Sequence, residues 1–469
     1  MTDPRRGACW RSLSLAALLV SVLVAAPSAV AAAAVPAAAA EADVSATVSA
    51  APDLAARSIT LEEAVALAQQ NAPLAIQARG QLRTTDAGVR SAYAAFLPAV
   101  TLSAGATRQY APSSGSTRIE NGQVVTLPSQ PWSYSASGGA NMTLFSGGRR
   151  ITDLRGAHAN FTAAEANELS QRFGVALDVK REFFNVLAAR ESEIAARAQL
   201  AQAESQRRYA FARVAARTAT RSDSLRAEIQ MRNAQLAVID ARISLETAVA
   251  GLTRAVGTAY PVTAAPMDST GLLVLAVPSD SLRALAEGGP SVRQAKAELD
   301  AARAMKWSAW TDYLPSLSAS YSRGASGASN DFGLGADSYN YSGVFRLSVS
   351  LPIFDQLGRE EQVVRTQVAA DNAEASLRDA RLAALQSLVG ALGAFRSAGQ
   401  RIVAQTASVE AAEEDLRVQE QRYAVASATL LDVLASQTQL DQSRQELIRA
   451  RYDQRVAKAE LEMLVGRDL

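Results

Sequence analysis

The sequence predicts a mixed α/β chain built from two copies of one unit, in which paired β-strands lead into a long antiparallel helical hairpin. The segment Ala95–Ala104 recurs as Asp312–Ser320 around a shared Leu-Pro step. Four short segments alternate apolar and polar residues, and two very long stretches contain no proline. Two copies of a unit that buries little by itself are expected to assemble with each other.

The chain has 469 residues and nearly balanced charge, with 47 basic and 46 acidic side chains. A net charge of +1 argues against a nucleic-acid binder or a polybasic membrane-surface protein. The sequence shows no Ser/His/Asp set, metal-ligand cluster or phosphate loop, so no enzyme activity, cofactor or metal is predicted.

The N-terminal residues read as an export signal over 1–31, with a basic start and the short apolar run Leu13–Ala26. Residues 32–57 are Ala-rich and are expected to be flexible. Cys9, the one cysteine, precedes the apolar run, so it is not placed for lipidation. An exported mature chain without disulfides is expected.

Strict alternation predicts β-strands at about 99–108, 133–145, 316–323 and 340–351. Each strand pair is split by a polar insert, Gln109–Pro131 and Arg323–Tyr339, which predicts two loops. The alternation fits either a half-buried soluble sheet or a membrane barrel with a watery lumen. Four strands cannot close a barrel, so a membrane-spanning version requires several chains.

The strands are followed by proline-free helical hairpins at 149–256 and 357–465, whose apolar residues recur at coiled-coil spacing. Each long first helix would reach about 90–100 Å. Pro98 maps onto Pro315 at an offset of 217, and Phe145 maps onto Phe354 at an offset of 209. The change falls between the paired strands, so the helical lengths of the two halves agree. The first repeat spans 58–257, a Pro-rich connector spans 258–289, and the second repeat spans 290–466.

Several segments together resemble the TolC-like outer membrane efflux protein family. They are Ile59–Val65, the two Leu-Pro junctions, Leu144–Arg150 with its echo Leu351–Asp355, Arg213–Asp223, and Arg422–Leu434. Each motif is weak alone, but their order, spacing and duplication make the combination specific over about residues 58–466.

The resemblance implies a homotrimer in which four strands per chain form a 12-stranded β-barrel in the outer membrane of a Gram-negative-type cell. The helices would continue it as a coiled-coil barrel through the periplasm. The duct would dock on a periplasmic adaptor (membrane fusion) protein and serve an inner-membrane pump of the RND or ABC type. The predicted function is passive exit in tripartite efflux or type I secretion. The alternative is an exported coiled-coil scaffold with a soluble β domain, and an exported enzyme is a weaker third.

Carried over by motif, Asp223 and Asp432 match the aspartates at the periplasmic tip that narrow the pore. Carboxylate rings attract cations, whereas the simpler interpretation is an acid at a helix N-terminus. Residues around the same turns are candidates for adaptor docking or are solvated helix ends: Arg213, Arg217, Thr220, Arg422, Tyr423 and Thr429. The family usually has glycine where Arg217 and Ala426 stand, which puts the turn geometry in question.

Aromatic residues precede the first and third predicted strands. They are Tyr93, Phe96, Trp307, Trp310 and Tyr313. Aromatic side chains gather at membrane interfaces, and ordinary helix packing is the alternative.

Overall fold

The structure is a computed structural model that describes residues 56–110, 117–120, 122–126, 131–268, 271–275, 277–329, 331–332, 339–425 and 427–469. All of these belong to the unit Leu54–Leu469. The predicted signal and most of the Ala-rich segment lie outside the described residues, as does Ala426.

The first half contains β1 (Arg57–Ile59), α1 (Leu61–Asn71), α2 (Pro73–Ala94), β2 (Ala99–Arg108), β3 (Thr117–Glu120), β4 (Gln123–Thr126), β5 (Trp132–Ser146), α3 (Arg149–Ala215) and α4 (Arg221–Val256). The connector and second half contain β6 (Val262–Ala264), α5 (Ser279–Glu287), α6 (Pro290–Trp310), a 3₁₀ turn (Thr311–Tyr313), β7 (Ser316–Ser329), β8 (Asn340–Ser350), α7 (Gly358–Ala424) and α8 (Leu430–Val465).

The main sheet is antiparallel and has the strand order β2-β5-β7-β8. The central pair, β5 with β7, joins the two halves of the chain, and β2 and β8 are its edges. Because side chains alternate between faces along each strand, the sheet presents one row of small polar residues, including Ser103 and Ser137, whose hydroxyl oxygens lie 2.8 Å apart.

Three segments differ from the expectations of the sequence. β7 continues to Ser329, beyond the predicted end at 323, because β5 pairs with it as far as Trp132. The first polar insert contains the β3-β4 hairpin, whose turn includes Gly122 at φ 81°. Arg57, placed in the flexible segment, instead begins β1, which pairs in parallel with β6 of the connector.

The helices begin and end with repeated local signals. Thr60 caps α1 in a capping box with Glu63, which satisfies backbone donors at the helix start. α4 and α8 both end at a left-handed glycine, Gly257 at φ 75° and Gly466 at φ 72°. Within the described part of the chain, no helix is both long and apolar enough to cross a membrane.

The largest core lies where α1, α3, α4 and the β1-β6 pair meet. Phe183, Val179 and Leu252 are at most 1% exposed there. A second cluster joins α5 to α7 and α8 around Leu282 and Leu461. These two clusters stabilise the middle of each hairpin. The first helix of each hairpin has 67 residues, so the hairpin turns lie about 100 Å along the helix from the sheet.

Candidate functional site at the hairpin tips

The two hairpin turns share one backbone hydrogen bond across the helix end. In the first turn Arg217 N donates to the Val214 carbonyl oxygen at 3.0 Å and Thr218 N to that of Arg213 at 2.9 Å. This is the Schellman pattern, which satisfies carbonyl groups at a helix end. In the second turn Ser427 N donates to the Arg422 carbonyl oxygen at 2.8 Å.

Arg217 occupies the left-handed position of the first turn, with φ 58°. Glycine adopts this conformation without cost, whereas other L-residues pay about 1–2 kcal/mol. The departure from glycine at this position therefore leaves the turn type intact and places strain at Arg217. The equivalent position of the second turn is Ala426, outside the described residues.

Asp223 and Asp432 both belong to capping boxes. Asp223 Oδ2 accepts hydrogen bonds from Thr220 N at 3.0 Å and Thr220 Oγ1 at 2.8 Å. Asp432 Oδ2 accepts from Thr429 N and Thr429 Oγ1, each at 2.8 Å. Thr220 and Thr429 are thus the N-caps of α4 and α8. Both aspartates therefore make the contacts expected of an acid at a helix N-terminus.

The hydrogen bonds from Thr429, together with the nearby positive charge of Arg422, hold the pKa of the Asp432 carboxyl below its usual range. The helix N-terminus also favours a negative charge. Asp432 is exposed, so it presents a carboxylate to solvent at neutral pH.

Arg213 joins the two hairpins within the chain. Its Nη1 donates to the Tyr423 carbonyl oxygen at 2.7 Å, and its Cζ lies 4.5 Å from the centre of the Tyr423 ring. Tyr209 packs edge-on against the same ring at 6.1 Å. Arg422, the equivalent of Arg213 in the second half, reaches Gln419 and Ser427 of its own hairpin. The two arginines therefore make different contacts, although they occupy equivalent positions in the two repeats.

A cavity of about 430 Å³ lies beside this contact, between α3, α7 and α8. It is lined by Gln202, Gln206, Tyr209, Glu420, Tyr423 and Leu430, among others. Gln206 Nε2 and Tyr423 Oη are buried, and neither has a hydrogen-bond partner among the described residues. Burial also raises the pKa of the Tyr423 hydroxyl, against the lowering effect of Arg213.

Sequence reasoning selected Tyr423 but missed the rest of this cavity. Tyr209 has Val418 at the equivalent position of the second half, so the duplication does not mark it. Gln206 and Glu420 look like ordinary solvated helix positions, and only the packing of α3 against the hairpin of α7 and α8 brings them together.

The five aromatic residues lie at the two helix-to-strand junctions and are all exposed in the chain. The Tyr93 hydroxyl lies 3.2 Å from His158 Nε2. Arg150 lies over the Phe96 ring at 5.6 Å and Arg359 over the Tyr313 ring at 4.9 Å. Trp310 and Tyr313 contact each other at 5.8 Å. The aromatic rings at these junctions are thus exposed and also contact neighbouring side chains of the same chain.

Comparison with curated proteins gives relatives from several bacteria. The chain is 27% identical to the cobalt-zinc-cadmium resistance protein CzcC of Cupriavidus metallidurans over 84% of this chain and 86% of that protein. It is 28% identical to the outer membrane protein TolC of Escherichia coli over 49% of this chain and 48% of TolC.

Solved structures share the fold. The CusC structure, described as a transmembrane channel, matches with a TM-score of 0.72 and 17% identity, covering 87% of this chain and 92% of CusC. The open-state MtrE outer membrane channel of Neisseria gonorrhoeae matches with a TM-score of 0.68 and 21% identity, covering 87% of this chain and 89% of MtrE.

The sequence profile of one family covers both halves of the chain, residues 64–258 and 282–467. The match omits most of the connector, where the two repeats meet. Together with the duplicated strand-pair and hairpin architecture, it shows that the chain belongs to the outer membrane efflux protein family.

Proposed function

We propose that this outer membrane efflux protein works as a homotrimeric exit duct that passes substrates passively from the periplasm or a pump to the cell exterior. The observation that carries the proposal is the four-stranded sheet whose outer strands, β2 and β8, each pair on one side only among the described residues. In hydrocarbon an open sheet edge leaves backbone groups unsatisfied, and closing a ring removes it. Three copies would supply twelve strands around a lumen lined by the serine-rich face.

The helical hairpins would continue this lumen through the periplasm as a coiled-coil barrel. The protein would catalyse no bond chemistry, and the energy for export would come from an inner-membrane pump of the RND or ABC type. The names of the relatives refer to metal ions in one case and to solvents or toluene in others. The relatives thus differ in the cargo that their names specify.

Docking of a periplasmic adaptor is proposed at the hairpin tips. The cavity beside Tyr423 offers apolar walls and two buried polar atoms, Gln206 Nε2 and Tyr423 Oη. Burying a polar group without a partner is costly, so an inserted adaptor side chain that pairs with either atom would gain affinity. Arg217 and Arg422 lie around the same tips as further docking candidates.

Asp223 and Asp432 are proposed to ring the narrowest part of the pore. Capping engages Oδ2 of each carboxylate. Threefold repetition would place three copies of each charge around the axis, and such rings favour cations. The exposed junction aromatics Tyr93, Phe96, Trp307, Trp310 and Tyr313 would lie at the membrane interface.

The test is membrane fractionation followed by gel analysis of unheated and boiled samples, then single-channel recording of the purified protein in planar bilayers. We expect the protein in the outer-membrane fraction, a heat-sensitive trimer, and discrete channels. Extraction without detergent as a monomer, with no channel activity, would instead favour the exported scaffold.

A further inference from the structure

Charge is distributed unevenly over the main sheet. Its four strands contain no acidic residue, and their three basic side chains are all arginines, Arg108 on β2, Arg323 on β7 and Arg346 on β8. Because successive side chains of a strand point to opposite faces, the strand register assigns each arginine to one face of the sheet.

Arg346 lies on the serine-rich face. It stands opposite Ser320 of β7, which in turn stands opposite Asn141 of β5. Ser348, two residues further along β8, has its hydroxyl oxygen 2.9 Å from that of Ser318 on the same face. The Arg346 side chain is exposed and, among the described residues, forms no ion pair or hydrogen bond. No carboxylate in the described part of the chain therefore neutralises its charge.

Arg323 lies on the opposite, apolar face. It stands between Gly138 of β5 and Gly343 of β8, and Gly138 stands opposite Leu102 of β2. Leu102 is 87% exposed in the chain, which suits a side chain that faces lipid in a barrel. Arg323 and Arg346 are thus on adjacent strands but point to opposite sides of the sheet.

Arg108 shares the apolar face, because it lies six residues after Leu102 on the same strand. Its Cζ lies 4.8 Å from the centre of the Tyr110 ring and 5.5 Å from that of the Trp132 ring. Arginine side chains at the edge of an apolar surface carry their charge toward water. Arg346 is therefore the one charged side chain on the serine-rich face of the described sheet.

We propose that Arg346 of three copies of the chain forms a cationic ring that binds small multivalent anions in the barrel lumen. The inference rests on the proposed trimeric duct, whose lumen the serine-rich face would line. Threefold symmetry would place the three guanidinium groups at one level. Rings of arginine or lysine line anion and phosphate pores, and a guanidinium binds phosphate oxygens in a bidentate geometry.

The width of the lumen makes such a ring effective. Twelve strands spaced about 4.8 Å apart and tilted by about 40° enclose a backbone radius of about 12 Å. The arginine side chains point inward from that radius, so the central axis lies within about one Debye length of each charge, about 10 Å at 0.1 M salt. An anion that crosses this level would therefore be attracted by all three groups at once.

The ring is separate from the hairpin tips. Arg346 lies four residues before the end of β8, which leads into α7, and Asp432 follows the far end of that 67-residue helix. The two levels are thus on the order of 100 Å apart, far beyond the range of screened charges. The arginine ring and the proposed aspartate ring are expected to act on ions independently and with opposite sign.

The reversal potential in a potassium chloride gradient tests the ring in single channels. Arg346→Gln is expected to shift it toward the potassium potential, since three positive charges are lost from the lumen, whereas Arg346→Lys keeps the wild-type value. Arg323→Gln removes the same charge from the other face and is the matched control, expected to leave the potential unchanged. Channels with no shift in Arg346→Gln, or an equal shift in Arg323→Gln, would overturn the ring and leave the duct intact. A wild type without channels would overturn both.

Inorganic pyrophosphate tests whether the ring binds an anion. It is expected to block the current of the wild type, and the half-blocking concentration is expected to rise at least about fivefold in Arg346→Gln, because the attraction of three charges is lost. Equal block of the two channels would show that the ring holds no anion.

A chemical rescue tests the assignment of faces without the glutamine variant. In a Cys9→Ala background, which leaves no other cysteine, Arg346→Cys is treated with an ammonium-bearing methanethiosulfonate. The reagent is expected to restore the positive charge and return the reversal potential to the wild-type value. Leu347→Cys, on the apolar face, is the control and is expected not to respond. A response in Leu347→Cys alone would reverse the assignment of faces and contradict the ring.

Discussion

The guanidinium of Arg213 both donates to the Tyr423 carbonyl oxygen, at 2.7 Å, and lies 4.5 Å over the Tyr423 ring. One side chain on α3 therefore ties the first hairpin to the second at the tip. Hydrogen bonds from charged groups contribute about 1.5–3 kcal/mol, and a cation over an aromatic ring adds about 0.5–1 kcal/mol.

We predict that Arg213→Ala loosens this tie and raises the open probability of the channel by at least about tenfold, since even about 1.4 kcal/mol of the contact energy corresponds to a factor of ten. Single-channel recording measures it. Arg208→Ala removes an exposed arginine of the same helix and is expected to change nothing. Arg213→Lys keeps the charge but loses the planar stack and is expected to fall between the two. An unchanged open probability in Arg213→Ala would mean that the contact does not restrain the tip.

Asp432→Asn is predicted to reduce the cation preference of the pore, measured as the reversal potential in a salt gradient. Because the pKa of Asp432 lies below its usual range, the wild-type preference is expected to persist as the pH falls to about 4, the ordinary value for aspartate. The capping contribution of the carboxylate follows the same sign, being present above the unfolded-state pKa and lost as pH falls through the lower folded-state pKa. A variant with unchanged cation preference would place Asp432 away from the pore.

Arg217→Gly is predicted to stabilise the first tip turn by about 0.5–1 kcal/mol. Glycine removes the cost of φ 58°, about 1–2 kcal/mol, and returns part of the gain as greater freedom of the unfolded chain. The Thr218 amide, which bonds the Arg213 carbonyl oxygen, should then exchange its hydrogen more slowly. Ala216→Gly, at φ −76°, is the control and should speed exchange. Faster exchange in Arg217→Gly would show that the arginine side chain stabilises the turn.

Asp441→Asn is predicted to raise the melting temperature at pH 7. Burial raises the pKa of the Asp441 carboxyl, with Gln437, Arg444 and Gln199 opposing it, so the charged form costs stability as pH rises through that raised value. Oδ1 accepts from Gln437 Nε2 at 3.0 Å, while Oδ2 and Gln437 Oε1 have no partner among the described residues. An asparagine amide could donate to Gln437 Oε1.

The advantage of Asp441→Asn should shrink below about pH 4, where the wild-type carboxyl is neutral in both states. Asp240→Asn, at an exposed position of α4, is the control and should have little effect at either pH. Circular dichroism of the detergent-solubilised protein measures both. Destabilisation by Asp441→Asn at pH 7 would indicate that the carboxylate charge is needed.

Much of the architecture follows from local patterns. Alternation at 99–108 and the Leu-Pro steps predicted strands that the structure contains, because a half-covered sheet requires period two along the strand. An acid at a helix N-terminus is the simpler interpretation of Asp223 and Asp432, and in the structure both belong to capping boxes. β7 beyond 323 could not be predicted, since its Gly and Ala residues carry little alternation and pairing with β5 stabilises them.

The sequence by itself determined the duplication and the helix lengths, because each depends on residues close together in the chain or on a fixed offset. Only the tertiary structure decided that Arg213 reaches Tyr423 while Arg422 stays within its own hairpin. It also decided that Ile448 and Tyr452 of α8 are buried, while the equivalent α4 residues Ile239 and Ile243 are exposed. These differences depend on packing between segments that are far apart in the sequence, because α8 of the second half packs against α3 of the first half, whereas these α4 residues are left exposed in the chain.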